Sequence, residues 1–188
     1  MASIYKRCDT TNVRATKGMG GRVYSGVADF DLYCGDIVKV GDIFENENDI
    51  RALENVTNEE VGKAGVRVAF IATPEVNYKD DSALDRVIAL YKIKAGEVCD
   101  AVPVESGDEL AVAEGNIELD SGVTDLSEAK YLTIGTNRAL KAVKTKPASG
   151  FVAKIDKIKN ATRQTFYGSN GVLRGLNYKM VYFTVNVA

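Results

Sequence analysis

The chain has 188 residues, 45% hydrophobic and 27% charged, with no histidine and no tryptophan. That is ordinary for a globular protein with a proper core, and the missing histidine removes the commonest general base and most transition-metal ligand sets. The formal net charge of −2 conceals a segregation of sign: residues 1–28 carry net +4, residues 29–128 net −16 and residues 129–188 net +10. Ends of this polarity can meet something acidic, whether the chain's own middle, a second copy or a larger assembly.

Residues 1–22 are polar and basic, with Lys6, Arg7, Arg14 and Lys17 as candidate partner-binding residues. They hold too little apolar surface to fold alone, so a flexible N-terminal arm is expected. No apolar stretch at the start could serve as a secretory signal, so synthesis and retention in a cytoplasm are expected unless the protein leaves inside something else. Gly18-Met19-Gly20-Gly21 fails the dinucleotide fingerprint, because Val23 stands where the third glycine belongs and no strand precedes it. Cys8, Cys34 and Cys99 are widely spaced and form neither a disulfide framework nor a zinc pattern.

Residues 23–188 read as one mainly β domain, a compact β-barrel or β-sandwich-like body with short helices. Gly35-Asp36, Gly41-Asp42 and Gly107-Asp108 are turn devices, expected at strand-to-strand corners. The mixed, acidic stretch 48–58 predicts a turn or two of helix, and Thr57 three residues before Glu60 matches a capping box. Val66–Ala72 reads as a buried strand stopped at Thr73-Pro74, Asp80–Arg86 as a short helix and Arg86–Lys94 as a central strand. Further strands are expected over 98–104, 109–113, 131–134, 139–143 and 151–155, with an acidic inserted loop near 116–129. Strict alternation from Tyr178 to Val187 places Val181, Phe183, Val185 and Val187 on one buried face.

The acidic pairs Glu59-Glu60, Asp80-Asp81 and Asp108-Glu109 could in principle form a glycosidase pair, yet adjacent acids arise by chance in a block this negative. No calcium-loop pattern accompanies them. The basic C-terminal block offers Lys154, Lys157 and Lys159 as further partner-binding candidates. It carries no nucleic-acid module signature, and Phe166 and Tyr167 flank a turn instead of forming a stacking pair, which argues against nucleic acid. No run approaches the ~18 apolar residues of a membrane span.

Three segments in order, Ile71-Ala72-Thr73-Pro74-Glu75-Val76-Asn77-Tyr78, Ala89–Val98 with its Lys94-Ala95-Gly96-Glu97 turn, and Val104–Val112 with Gly107-Asp108-Glu109, resemble the capsid decoration (cement, auxiliary head) proteins of tailed bacteriophages. The closing segments Gly150–Ile155 and Met180–Val185 fit the ends of such chains. The resemblance implies a β-rich virion protein that binds the outside of a capsid shell, stabilises it and self-associates, with no catalytic residues, cofactor or metal. An alternative of another class is a carbohydrate-binding or fibre-like adhesin on a virion surface, which the absence of tryptophan disfavours. A histidine-free glycan hydrolase is the third.

Overall fold

A computed structural model of the protein describes residues 8–9, 23–44, 49–72, 92–167 and 172–187. The strands are β1 (Cys8–Asp9), β2 (Tyr24–Val27), β3 (Ile37–Ile43), β4 (Ile50–Glu54), β5 (Val68–Ile71), β6 (Val98–Pro103), β7 (Glu109–Ala113), β8 (Ile117–Leu119), β9 (Tyr131–Ile134), β10 (Leu140–Val143), β11 (Val152–Tyr167) and β12 (Val172–Val187). Helix among the described residues is limited to two single 3₁₀ turns, Glu114–Asn116 and Leu126–Glu128. The protein is thus mainly β, as its periodicity predicts.

Five strands close a barrel in the order β2-β4-β3-β5-β6, with β6 returning to β2. The other seven form an open sheet, β1-β7-β12-β11-β9-β10-β8. Its one parallel pair is β10 with β8.

The barrel and the sheet share a wall. Successive residues of a strand face opposite sides. On β3 and β5, Val38, Val40, Ala69 and Ile71 therefore fill the barrel interior with Leu53, Cys99 and Ala101. Ile37, Val68 and Phe70 point the other way, onto Leu110, Val112, Leu132, Phe151, Val181, Phe183 and Val185 of the sheet side. Phe70 meets Phe151 edge-on and Phe183 at a tilt, each with ring centroids 6.1 Å apart. All three rings are fully buried.

Polar contacts stitch this junction at two places. Asn116, fully buried, donates from Nδ2 to the Cys34 carbonyl at 2.8 Å. Ile37 N–H donates to the Arg138 carbonyl at 2.9 Å, and the Arg138 guanidinium donates to the Asp31 carbonyl, lies 3.9 Å from the buried Asp36 carboxylate and stacks 4.3 Å over Phe30. Arg138 holds a left-handed φ of 66°, a strain those contacts offset. Gly35 is doubly constrained: its φ is +93°, and a Cβ there would sit 2.6 Å from Asn116. Farther along, Asn58 accepts from Thr133 Oγ1 at 3.0 Å and the Phe151 N–H at 3.3 Å, and donates to the Ile134 carbonyl at 3.1 Å.

Several expectations change. Residues 50–54 are strand β4, because Leu53 faces the barrel interior and edge pairing with β2 and β3 outweighs a weak helical pattern. The capping-box contacts do form, with Glu60 Oε2 accepting from Thr57 N–H at 2.9 Å, but they close a turn. Gly35-Asp36 and Gly107-Asp108 are corners, each Asp accepting the amide three residues back. Gly41-Asp42 instead lies inside β3, where the register with β4 slips between Val40 and Ile43. The stretch 116–129 is no plain loop: it supplies β8 and buries Val123, Leu126 and Ala129. Cys8–Asp9 is strand β1 on the edge of β7, while Lys6, Arg7, Arg14, Lys17, the glycine cluster, Asp80–Arg86 and most of 86–94 lie outside the described residues.

Truncating Phe183 removes the aromatic that β12 contributes to the shared wall, so Phe183→Ala should cost about 3–5 kcal/mol in urea unfolding. A loss below about 1 kcal/mol would place Phe183 off the core. Asp108 is 2% exposed, and burial raises its carboxyl pKa. A pKa raised on folding means the native state gains when the group is protonated and loses as pH climbs through the folded value. Asp108→Asn should therefore raise the melting temperature at pH 7, with the gain shrinking as pH falls below the carboxylate range. An unchanged difference across that range would rule the titration out.

Candidate partner-binding surface

The sheet's second face, turned away from the barrel, carries Lys154, Lys157 and Lys159, all exposed. Strict alternation would put Lys154 opposite the other two. A bulge prevents this: β11 pairs Ile155 with Phe183 and Lys157 with Tyr182, leaving Asp156 as an extra residue. Ala153, Ile155 and Ile158 stay on the core side, and the three lysines line up opposite Thr184, Tyr182 and Met180. Asp156 Oδ2 accepts from Thr184 Oγ1 at 2.5 Å, which ties the bulge down. Lys159 Nζ lies 5.2 Å over the Tyr182 ring, and Tyr131 is in register with Lys154 on the other flank. The result is a row of ammonium groups about 6–7 Å apart between tyrosines on a rigid sheet.

None of these three lysines lies within 4.0 Å of a described carboxylate. Others of the basic block are neutralised internally. Residues 104–128 carry eight acids and no base, and the fold lays them against the C-terminal strands. Lys141 pairs with Asp120 at 2.7 Å, Lys144 with Glu128 at 2.9 Å and Lys179 with Asp125 at 3.5 Å. Lys141 holds the Asp120 carboxyl below its usual range, and Lys144 does the same for Glu128. For Asp125, hydrogen bonds from Ser127 come first and Lys179 adds to them.

The remaining candidates separate. Asp108 is buried while Glu109 is exposed, so the two do not converge. Glu60 is held by Thr57 and by Lys39 at 3.3 Å. Among the described residues no group of three or more Cys, Asp or Glu side chains is placed to hold a metal ion.

Sequence reading missed the length of the β11–β12 hairpin. Each strand has 16 residues. The sheet supports only the base, since β7 pairs with Met180–Thr184 and β9 with Ala153–Lys154. From Asn160↔Lys179 to Tyr167↔Val172 the two strands pair with each other alone among the described strands. At ~3.3 Å per residue this two-stranded stretch is on the order of 25 Å long. The signal was available: residues 157–179 hold five bases and no acid, around a Gly-Ser-Asn-Gly turn.

Comparison of the chain with family models, curated proteins and solved structures returns no match.

Deleting Asp156 removes the extra residue without moving Ala153, Ile155 or Ile158 off the core face, so this variant should fold with a loss of at most about 2 kcal/mol. Deleting Lys154 instead drives Asp156 toward the core and Ile155 outward, and should cost at least about 3 kcal/mol. Equal losses in urea unfolding would mean the bulge does not set the lysine face.

Proposed function

We propose that the protein is a non-catalytic virion component of a tailed phage, made in the bacterial cytoplasm, that binds the outside of the capsid shell and stabilises it. The observation that carries this reading is the aligned Lys154, Lys157 and Lys159 row, left without a described carboxylate partner while neighbouring lysines are satisfied internally. A rigid, basic, tyrosine-flanked face suits docking on a fixed acidic surface. The resemblance of the turn and strand segments to capsid decoration proteins supplies the shell as that surface. Lys6, Arg7, Arg14 and Lys17 add positive charge on a segment continuous with β1, which is anchored on the sheet edge. Each exposed ion pair contributes only about 0–1 kcal/mol, so binding must draw on several pairs at once and on repetition across the lattice.

The test is co-sedimentation with emptied capsids of the phage that encodes the chain. Changing Lys154, Lys157 and Lys159 together to Glu should weaken binding at least about tenfold, and raising salt from ~50 to ~300 mM should weaken the wild type in the same direction. Asp29→Asn, on the barrel, should leave it unchanged. Salt-insensitive binding untouched by the triple change would overturn docking through this face.

A further inference from the structure

Residues 29–128 carry net −16, yet two of their arginines meet at one place without an acid. Tyr24 opens β2, Arg51 is the second residue of β4, and Arg67 immediately precedes β5. The register brings them to one mouth of the barrel: Arg51 lies beside Gly26, and the Arg67 carbonyl accepts the Val40 N–H at 2.9 Å. Arg67 Nη1 donates to the Tyr24 hydroxyl at 3.1 Å, and the Arg51 guanidinium lies 5.2 Å from the centre of the same ring. Arg51 Nη1 also donates to the Gly41 carbonyl at 3.2 Å, which fixes its direction. Tyr24 itself packs against the barrel interior.

Neither guanidinium lies within 4.0 Å of a described carboxylate. Lys39 and Lys92 of the same block do find acids, the first holding Glu54 and Glu60 and the second Asp31. A guanidinium carries its N–H donors in a planar fork, and most of those on Arg51 and Arg67 have no described acceptor. The Tyr24 hydroxyl accepts from Arg67 and so keeps its own proton to donate. Two forks and a hydroxyl offer more donors than the two coplanar oxygens of a carboxylate use. A tetrahedral phosphate has oxygens enough for all three groups. The exposed carboxylates Asp42 and Asp49 stand next in sequence to Gly41 and Ile50. A nucleic-acid strand, charged at every nucleotide, would meet them as well as the arginines, whereas a single phosphate group meets the arginines alone.

We propose that this mouth of the barrel is a phosphate-binding site, in which Arg51, Arg67 and the Tyr24 hydroxyl hold one phosphate group, either free or as the monoester of a small molecule. Barrel mouths are among the places where small ligands bind. Hydrogen bonds from guanidinium to phosphate are charge-assisted and roughly twice as strong as neutral ones. The site does not depend on the shell-binding reading, since the lysine row lies on the sheet face turned away from the barrel.

The experiment is equilibrium dialysis of the full chain against labelled inorganic phosphate and, separately, glycerol 3-phosphate, at an ionic strength held constant with sodium chloride. Retention should saturate at one site per chain, with a dissociation constant on the order of 1 mM or tighter. Saturation by either probe supports the site, and the tighter one identifies its ligand as free phosphate or a monoester. Arg67→Gln, at an exposed position, should weaken binding at least about tenfold. Arg67→Lys should not restore it, because an ammonium keeps the charge and loses the fork. Tyr24→Phe keeps the ring and should weaken binding about threefold. Each variant should keep the wild-type circular dichroism spectrum, so that lost binding reads as a lost contact. Changing Lys154, Lys157 and Lys159 together to Glu should leave phosphate binding as in the wild type, which separates failure of this site from failure of shell binding. Retention that never saturates with either probe overturns the proposal. So does binding that survives Arg67→Gln, equal competition by acetate, or tighter binding of a single-stranded oligonucleotide.

Discussion

Phe70 meets Phe151 and Phe183 only because β5 is buried on both sides, with Ala69 and Ile71 closing the barrel and Val68 and Phe70 facing the sheet. Removing either neighbour strips one face of the same strand. The barrel interior alone is small, built on alanine, valine, leucine, isoleucine and cysteine, and a five-stranded closure leaves little room inside. Most of the large buried side chains belong to the shared wall. Aromatic pairs of this kind add about 0.5–1.5 kcal/mol beyond their buried area, but their larger effect is to fix the angle at which sheet meets barrel. Asn116 with Arg138, and Asn58, then hold that angle with hydrogen bonds from buried or half-buried groups that would be costly to leave unmade.

Fixing that angle decides where charge ends up. The acidic run 104–128 is threaded through β7, β8 and the 3₁₀ turns, next to β10 and β12, and it consumes Lys141, Lys144 and Lys179. The segregation along the chain is therefore partly cancelled in space. Among the described residues what survives is local: a lysine row on the exposed outer face of β11 and carboxylates such as Asp29 on the barrel.

The sequence made the strongly periodic parts legible. Val181, Phe183 and Val185 alternate as expected, and the segments 66–72, 98–104, 109–113 and 131–134 are strands close to their expected bounds. What escaped was whatever depends on a partner strand. Ile50–Glu54 has one core leucine and mixed neighbours, so nothing local distinguishes it from a short helix, and only pairing with β2 and β3 decides. The run 116–129 reads as solvent loop because its acids are conspicuous, while Val123, Leu126 and Ala129 bury three residues apart, too few apolar positions among those acids to mark an element. The lysine face was legible in part. The residues were found, but the bulge that aligns them shows only as a change of apolar spacing, two from Ala153 to Ile155 and three from Ile155 to Ile158.

The shared wall also imposes an order on synthesis. Every barrel strand lies between residues 24 and 103, whereas Phe151, Val181, Phe183 and Val185, which cover its outer face, come from the last quarter of the chain. At ~5–20 residues per second a ribosome needs roughly 4–16 s to deliver Phe183 after Pro103. Throughout that interval a completed barrel has no open edge to aggregate through, yet it holds Ile37, Val68 and Phe70 out toward water. The nascent chain is then a client for any chaperone that grips a bare apolar face, and a fragment ending at the barrel would be a sticky half-molecule, unable to behave as a smaller domain.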